Sequence, residues 1–301
     1  MISNLTIGIA SGLIAAFMQS CSYLCGRRFL LVHGDARQLL FASMIIEGMA
    51  ALILAPFLIN WEKLLSWQML WYVFICNTGY IVGSWGFFSA QKHIESSRIA
   101  SLMGLKVIMV MLLSMVFLGS RFVYFQYVAI VICALSAMLM NWSRGKLDWG
   151  GMGFLLVALI GYAVSDLGVQ LIVNGVSEGD PIRDGLSGFS SCYGICGIIG
   201  LLLMKPCRIT WKMMQGAVPQ ALCWIVSMWG LYICFGLLGA SFGNIIQASR
   251  GVISLVMGII LSHLAIQGLE AKQSCLVWIR KTVAALLMFG AIVLYALSVK
   301  G

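Results

Sequence analysis

Apolar runs of about 20 residues recur along the whole chain, separated only by short polar connectors. A bilayer core is about 30 Å thick and a helix rises about 1.5 Å per residue, so a run of this length is what a spanning helix needs. Ten stretches qualify: 5–26, 38–59, 68–90, 97–118, 123–141, 151–174, 186–204, 217–238, 242–263 and 278–299. A soluble domain is about half apolar and about a quarter charged. This chain is 61% apolar and 10% charged, and cannot cover its surface with polar groups in water. Four prolines in 301 residues leave few helix breaks. The expectation is an all-α polytopic membrane protein with ten transmembrane helices and no soluble domain.

The first run is too long for a signal-peptide core and no small-residue cleavage site follows it, so it reads as a first transmembrane helix. The ten cysteines are scattered through the helices, with Cys21/Cys25 and Cys192/Cys196 one turn apart. They read as small packing residues. No Cys/His set has zinc spacing, and no disulfide framework is visible. No cofactor or metal is expected.

The net charge of +9 follows from membrane topology and gives no reason to expect nucleic acid. Positively charged loops face the cytoplasm. The connectors after helices 1, 3, 5, 7 and 9 hold Arg27, Arg28, Arg37, Lys92, Arg98, Arg144, Lys146, Lys205, Arg208, Lys212, Lys272, Arg280 and Lys281, 13 in all. The termini and other connectors hold Lys63, Arg121, Arg183 and Lys300, which is 4. The bias predicts odd connectors in the cytoplasm and both termini outside. Only Lys106 and Arg250 remain, both inside apolar runs.

Those two cations are related. Residues 84–88 read SWGFF and residues 228–232 read MWGLY, an offset of 144. Lys106 follows Trp85 by 21 residues, and Arg250 follows Trp229 by 21. Helix 1 around FMQSCSYLCG matches helix 6 around IGYAVSDLGV, placing Gln19 opposite Tyr162, Ser22 opposite Ser165 and Tyr23 opposite Asp166. Helix 5 (QYVAIVICALSAML) resembles helix 10 (KTVAALLMFGAIVL). The chain therefore reads as two five-helix repeats, 1–142 and 143–301. An odd helix count inverts the second repeat, and secondary transporters place a midplane site between inverted repeats.

Ten helices as five plus five resemble the drug/metabolite transporter superfamily of the EamA type. In that family the fourth helix of each half usually ends in a Gly-Glu-Arg-like turn before a Gln-containing start to the fifth. Here residues 117–126 read FLGSRFVYFQ, with Ser120 where the glutamate would stand, and residues 261–267, LSHLAIQ, keep almost none of it. Val107 and Gly251 stand where a mid-helix proline is common. The resemblance implies a central cavity lined by helices 1, 3, 4, 6, 8 and 9, with Lys and Arg on it in organic-phosphate members. It also implies cytoplasmic termini, against the charge bias.

Four ionisable side chains lie deep in the apolar runs: Glu47, Lys106, Asp166 and Arg250. Each costs about 2.5–3.5 kcal/mol at mid-membrane on insertion scales, so each needs a partner, water or a role. At helical spacing Gly243, Gln247, Arg250 and Ser254 form one stripe. Helix 6 presents Tyr162, Asp166, Val169 and Gln170, and helix 1 presents Gln19, Ser22, Tyr23 and Gly26. Tyr80, Trp85, Phe88, Trp224, Trp229 and Tyr232 are candidate cavity walls, or ordinary packing aromatics. A guanidinium fork suits carboxylate or phosphate, and lysine adds a point charge. The expected substrate-binding set is Lys106, Arg250, Gln247, Ser254, Gln19, Tyr23, Tyr162, Trp85, Trp229 and Tyr80. Asp166 and Glu47 are the coupling or gating candidates. The structural alternative pairs Glu47 with Lys106 and Asp166 with Arg250 as buried ion pairs.

Gly8 and Gly12 form a GxxxG that permits close helix packing. His33 with Asp35, and His93 with Glu95, show no ligand geometry, and His263 reads as interfacial. The leading function is secondary transport of a small anionic or zwitterionic metabolite, with protons as the candidate coupling ion. A flippase for a phosphate-bearing lipid is the alternative. An integral-membrane enzyme is disfavoured because no GxSxG, HExxH or paired-His motif is present. Nothing resembles a channel's selectivity filter. The expected partners are this substrate, the bilayer of a bacterial inner membrane and, as a candidate assembly, a second copy. The charge bias predicts that a reporter fused after Gly301 works on the periplasmic side, and activity of a cytoplasm-only reporter there would overturn the orientation.

Overall fold

A computed structural model describes residues 4–33, 35–94, 96–141, 149–263 and 275–300. The described residues are helical almost throughout, with no strand among them. The helices are α1 (Asn4–His33), α2 (Ala36–Leu58), the short α3 (Trp61–Leu64), α4 (Trp67–Gln91) and α5 (Ser96–Leu102). A 3₁₀ turn, Met103–Leu105, joins α5 to α6 (Lys106–Phe117), and α7 (Tyr124–Asn141) and α8 (Trp149–Val176) follow. Then come α9 (Pro181–Leu203), α10 (Trp211–Ala248), α11 (Arg250–His263) and α12 (Cys275–Lys300). Each expected segment falls on helix to within a residue or two, apart from internal breaks. Arg144, Lys146, Glu95 and Lys272 lie outside the described residues.

Among the described residues, six helical stretches are long and apolar enough to cross a membrane: Asn4–His33, Ala36–Leu58, Arg98–Phe117, Gly151–Val176, Pro181–Leu203 and Trp211–Ser254. Tyr124–Leu139 and Thr282–Ser298 are shorter apolar helices. The outer surface is apolar as well. Ile53, Phe57, Phe74, Val116, Leu202 and Leu286 are all exposed, which suits a lipid solvent and not water.

The core forms where helices from the two ends of the sequence lie side by side. α1 packs along α10, α4 along α8, α2 along α9 and α7 along α12. Lipid tails are as apolar as leucine, so such contacts depend on close fit. Gly8 of the GxxxG lies against Leu238, and Gly12 against Cys234 and Ile246. The tightest approach is Gly48 of α2 on Gly197 of α9, where a Cβ on Gly48 would stand 2.2 Å from the Gly197 Cα.

Two expected helices are broken, without proline. The helix expected over 97–118 tightens to 3₁₀ at Met103–Leu105, and Lys106 opens the segment beyond. The gap expected at 239–241, between the runs 217–238 and 242–263, is a kink at Gly239 (φ 78°, ψ 159°), a backbone that favours glycine. The freed Ala240 N–H donates to Gln170 Oε1 at 2.8 Å. Gln170, expected on the site face of its helix, thus satisfies a backbone group. A second turn at Ser249 separates α10 from α11, and Arg250 opens the segment beyond it. A 3₁₀ stretch within a helix often marks a hinge.

The connectors sort by end. Arg27 Nη1 donates to Ile94 O at 2.7 Å, Gln38 Nε2 to Cys207 O at 3.3 Å, and Gly151 lies against His93. The connectors after α1, α4 and α9 and the start of α8 therefore share one end of the bundle. At the other end Asn60 Nδ2 donates to Glu178 Oε1 at 3.1 Å and Lys63 Nζ to Ser177 O at 3.0 Å. Buried Asp184 caps that loop by accepting from Ser177, Glu178 and Gly179.

The Gly48–Gly197 contact leaves no room for a methyl group. Gly48→Ala should cost about 1–3 kcal/mol by overpacking. Gly153→Ala on α8, where no atom lies within 4 Å of the added Cβ, should be neutral or slightly stabilising. Thermal melting of both variants in detergent checks the contrast.

Candidate functional site

The polar side chains singled out in the sequence converge on one cavity in the middle of the bundle. α1 contributes Gln19 and Tyr23, α4 contributes Cys76, Asn77 and Tyr80, and α6 contributes Lys106. α8 contributes Tyr162, Ser165, Asp166 and Val169, and α9 contributes Tyr193. α10 adds Trp224, Met228, Leu231, Tyr232 and Gln247, and α11 adds Arg250. The free volume is about 20 Å³, room for about one water.

Lys106 Nζ pairs with Asp166 Oδ2 at 2.5 Å, both side chains buried. Asn244 Nδ2 donates to the same oxygen at 2.8 Å. The ammonium also lies 5.8 Å from the Tyr162 ring centroid. This joins α6, α8 and α10 through one carboxylate.

Arg250 is 2% exposed and is the largest of the fully buried side chains among the described residues. Its partners are all neutral. Nη1 donates to Gln19 Oε1 at 2.5 Å and Nη2 to Met103 O at 3.1 Å, and the guanidinium stands 5.8 Å from the Tyr23 ring centroid. Among the described residues no carboxylate forms a salt bridge with it. Arg250 Nε and Gln247 Oε1 are buried with no hydrogen-bond partner there. Buried polar atoms of this kind call for a ligand or water. The 3₁₀ turn before Lys106 presents the Met103 carbonyl that Arg250 uses, so the break in one helix serves the cation of the other.

Glu47 is 0% exposed and sits behind the cavity wall. Its Oε2 accepts from Tyr80 Oη at 2.7 Å, and Oε1 has no partner among the described residues. The ring of Tyr80 stands 5.2 Å from that of Tyr193, whose hydroxyl accepts from Trp224 Nε1 at 2.9 Å.

The pairing offered as the structural alternative is not the one observed. Asp166 pairs with Lys106 and not with Arg250, and Glu47 bonds a phenol and not Lys106. Spacing locates a residue on its own helix face. It does not say which helix stands opposite.

Three expected binding residues lie outside the cavity lining. Trp85 follows Tyr80 by five residues, and the helical repeat brings Ser84 to that face instead, within 3.0 Å of the Tyr162 hydroxyl. Trp85 packs edge-on against Phe154, 5.4 Å between centroids. Trp229 stands in the same relation to Trp224 and packs on Phe189 at 6.1 Å. Ser254 lies one helical turn beyond Arg250 and is buried, with no partner for its hydroxyl among the described residues.

Other members were not anticipated. Asn244 lies one turn before Gln247 on the stripe already drawn, and that spacing would have found it. Tyr193 carried no such signal, because α9 was not expected to reach the cavity, and Cys76 read as a packing residue.

Residues 6–142 match the EamA-like transporter family. No curated protein matches the chain. One solved structure, described only as "Crystal structure of protein", is similar with a TM-score of 0.63 and 14% identity, covering 96% of each chain. That likeness concerns the fold.

Removing one member of a buried ion pair leaves the other uncompensated, at about 3–5 kcal/mol. Lys106→Met should therefore lower the melting temperature sharply, and adding Asp166→Leu should restore most of it. If the two losses simply add, the pair is not an energetic unit.

Proposed function

Because the chain belongs to the drug/metabolite transporter superfamily, we propose that it is a secondary-active transporter moving a small anionic or zwitterionic metabolite by alternating access. EamA family members are transporters rather than enzymes. The site is the cavity between the two repeats, near the midplane. The observation that carries the substrate class is Arg250. Lys106 and Asp166 neutralise each other, so the cavity lining retains one cation with neutral partners. A guanidinium held this way lacks a carboxylate or phosphate partner, and a substrate supplies it. Tyr23, Tyr80, Tyr162 and Trp224 favour an apolar or planar body beside the acidic group.

Alternating access fits the closed state of the cavity. A space for one water does not hold a metabolite, so the helices must part to load it. The breaks at Met103–Leu105, Gly239 and Ser249 border the site and offer hinges.

The division into inverted repeats 1–142 and 143–301 is part of the same reading. Its support is the pairing of helices: the first expected helix lies on the eighth, the third on the sixth, the second on the seventh and the fifth on the tenth. Inversion with exchange produces that pattern. The two related cations each open the segment after a break, which adds to it. The clustering at one end of the described basic connectors after α1, α4 and α9 supports odd connectors in the cytoplasm, and a bacterial inner membrane is part of the same reading.

The experiment is ligand-induced thermal stabilisation over anionic, zwitterionic and cationic metabolites. A true substrate at 100 times its Kd should stabilise by about 2.7 kcal/mol. Arg250→Gln should abolish the shift for the acidic hits. Stabilisation by cationic compounds alone, or normal binding by Arg250→Gln, sinks the proposal.

A further inference from the structure

Among the described residues, four acidic or basic side chains are buried within the helices away from the connectors: Lys106, Arg250, Asp166 and Glu47. With all four ionised their charges cancel. A singly charged anion on Arg250 would leave the region at minus one, which low-dielectric surroundings oppose. One proton restores neutrality, and the geometry says where it goes.

Asp166 pairs with Lys106 at 2.5 Å and accepts from Asn244 at 2.8 Å. Glu47 has no cation among its bonding partners. Its one hydrogen bond comes from Tyr80, and its other oxygen is unpartnered among the described residues. The titratable groups whose charge couples to Glu47 are Tyr80 of α4, Tyr162 of α8, and Tyr193 and Cys196 of α9. From α1 and α10, Tyr23, Trp224 and Tyr232 stand on the neighbouring cavity wall. All are neutral near physiological pH. Beside Glu47, the Gly48–Gly197 backbone contact closes the α9 side. Tyr80 lies between Glu47 and the cavity and touches both.

We infer that Glu47 is the proton-binding site of this carrier, and that one proton enters with each substrate anion, making transport an anion–proton symport. The inference rests on the anionic reading of the Arg250 site. The proton comes from water on the loading side. Tyr80 passes its hydroxyl proton to Glu47 Oε2 and takes another from hydronium on the loading side, so the phenol is regenerated, water is returned and the carboxylate becomes a carboxylic acid. Release on the far side reverses both steps. By linkage, anion affinity rises as pH falls, and anion binding draws a proton.

The test uses the full-length protein in detergent, with benzoate and inorganic phosphate as anion probes. Infrared titration should show a protonated-carboxyl band that grows as pH falls. It should persist in Asp166→Asn and vanish in Glu47→Gln. Tyr80→Phe should keep the band and move it to higher frequency, which covers a Glu47 variant that fails to fold. In weakly buffered solution, above the pH at which the Glu47 band of the free protein disappears, wild type should take up one proton per anion bound. Glu47→Gln should bind the anion without uptake and with pH-independent affinity. Absence of the Glu47 band overturns the proton site. Anion binding without proton uptake overturns the symport. If neither anion stabilises the protein at any pH, the anionic reading of Arg250 is what fails, and the infrared band still decides Glu47.

Discussion

The Lys106–Asp166 pair is the contact on which the character of the interior depends. Charges in a low-dielectric core persist only when matched and hydrogen-bonded. Asp166 is matched by one ammonium and one amide, and among the described residues no carboxylate forms a salt bridge with Arg250. Had Asp166 bonded Arg250, the cavity would hold a satisfied guanidinium and a free lysine. The observed choice leaves the planar, bidentate donor open to a ligand. A single pairing thus sets the sign and the geometry of the site.

Backbone irregularity supports that choice. The 3₁₀ turn before Lys106 exposes the carbonyl that holds one arm of Arg250, and Gln19 from α1 holds the other. Gln170 satisfies the amide freed at the Gly239 kink. In a membrane interior, irregular backbone survives only where protein or a cavity satisfies it. The breaks therefore gather where polar side chains already are, and the same residues shape the site and allow it to move.

Much of the fold was legible in the apolar runs, since bilayer thickness dictates their length. The helix breaks were less legible. Neither Met103–Leu105 nor Ser249 contains proline, and the irregularity comes from what surrounds it. The site was legible as a set of residue types. Eight of the expected residues, among them Gln19, Tyr80, Lys106 and Arg250, line the cavity. Trp85 and Trp229 were drawn in as markers of the repeat, but helical phase turns them to packing positions beside Phe154 and Phe189.

By itself the sequence determined that this chain lives in a bilayer, where its helices lie, and that four charges are buried without a partner in the same run. Those follow from local composition, because hydration and backbone bonding act residue by residue. Only the tertiary structure decided which charges meet. Asp166 could have answered either cation, and Glu47 either a lysine or a phenol. The answer depends on which helix faces stand together across 33 residues of chain or more, and helical periodicity carries no information about the neighbour opposite.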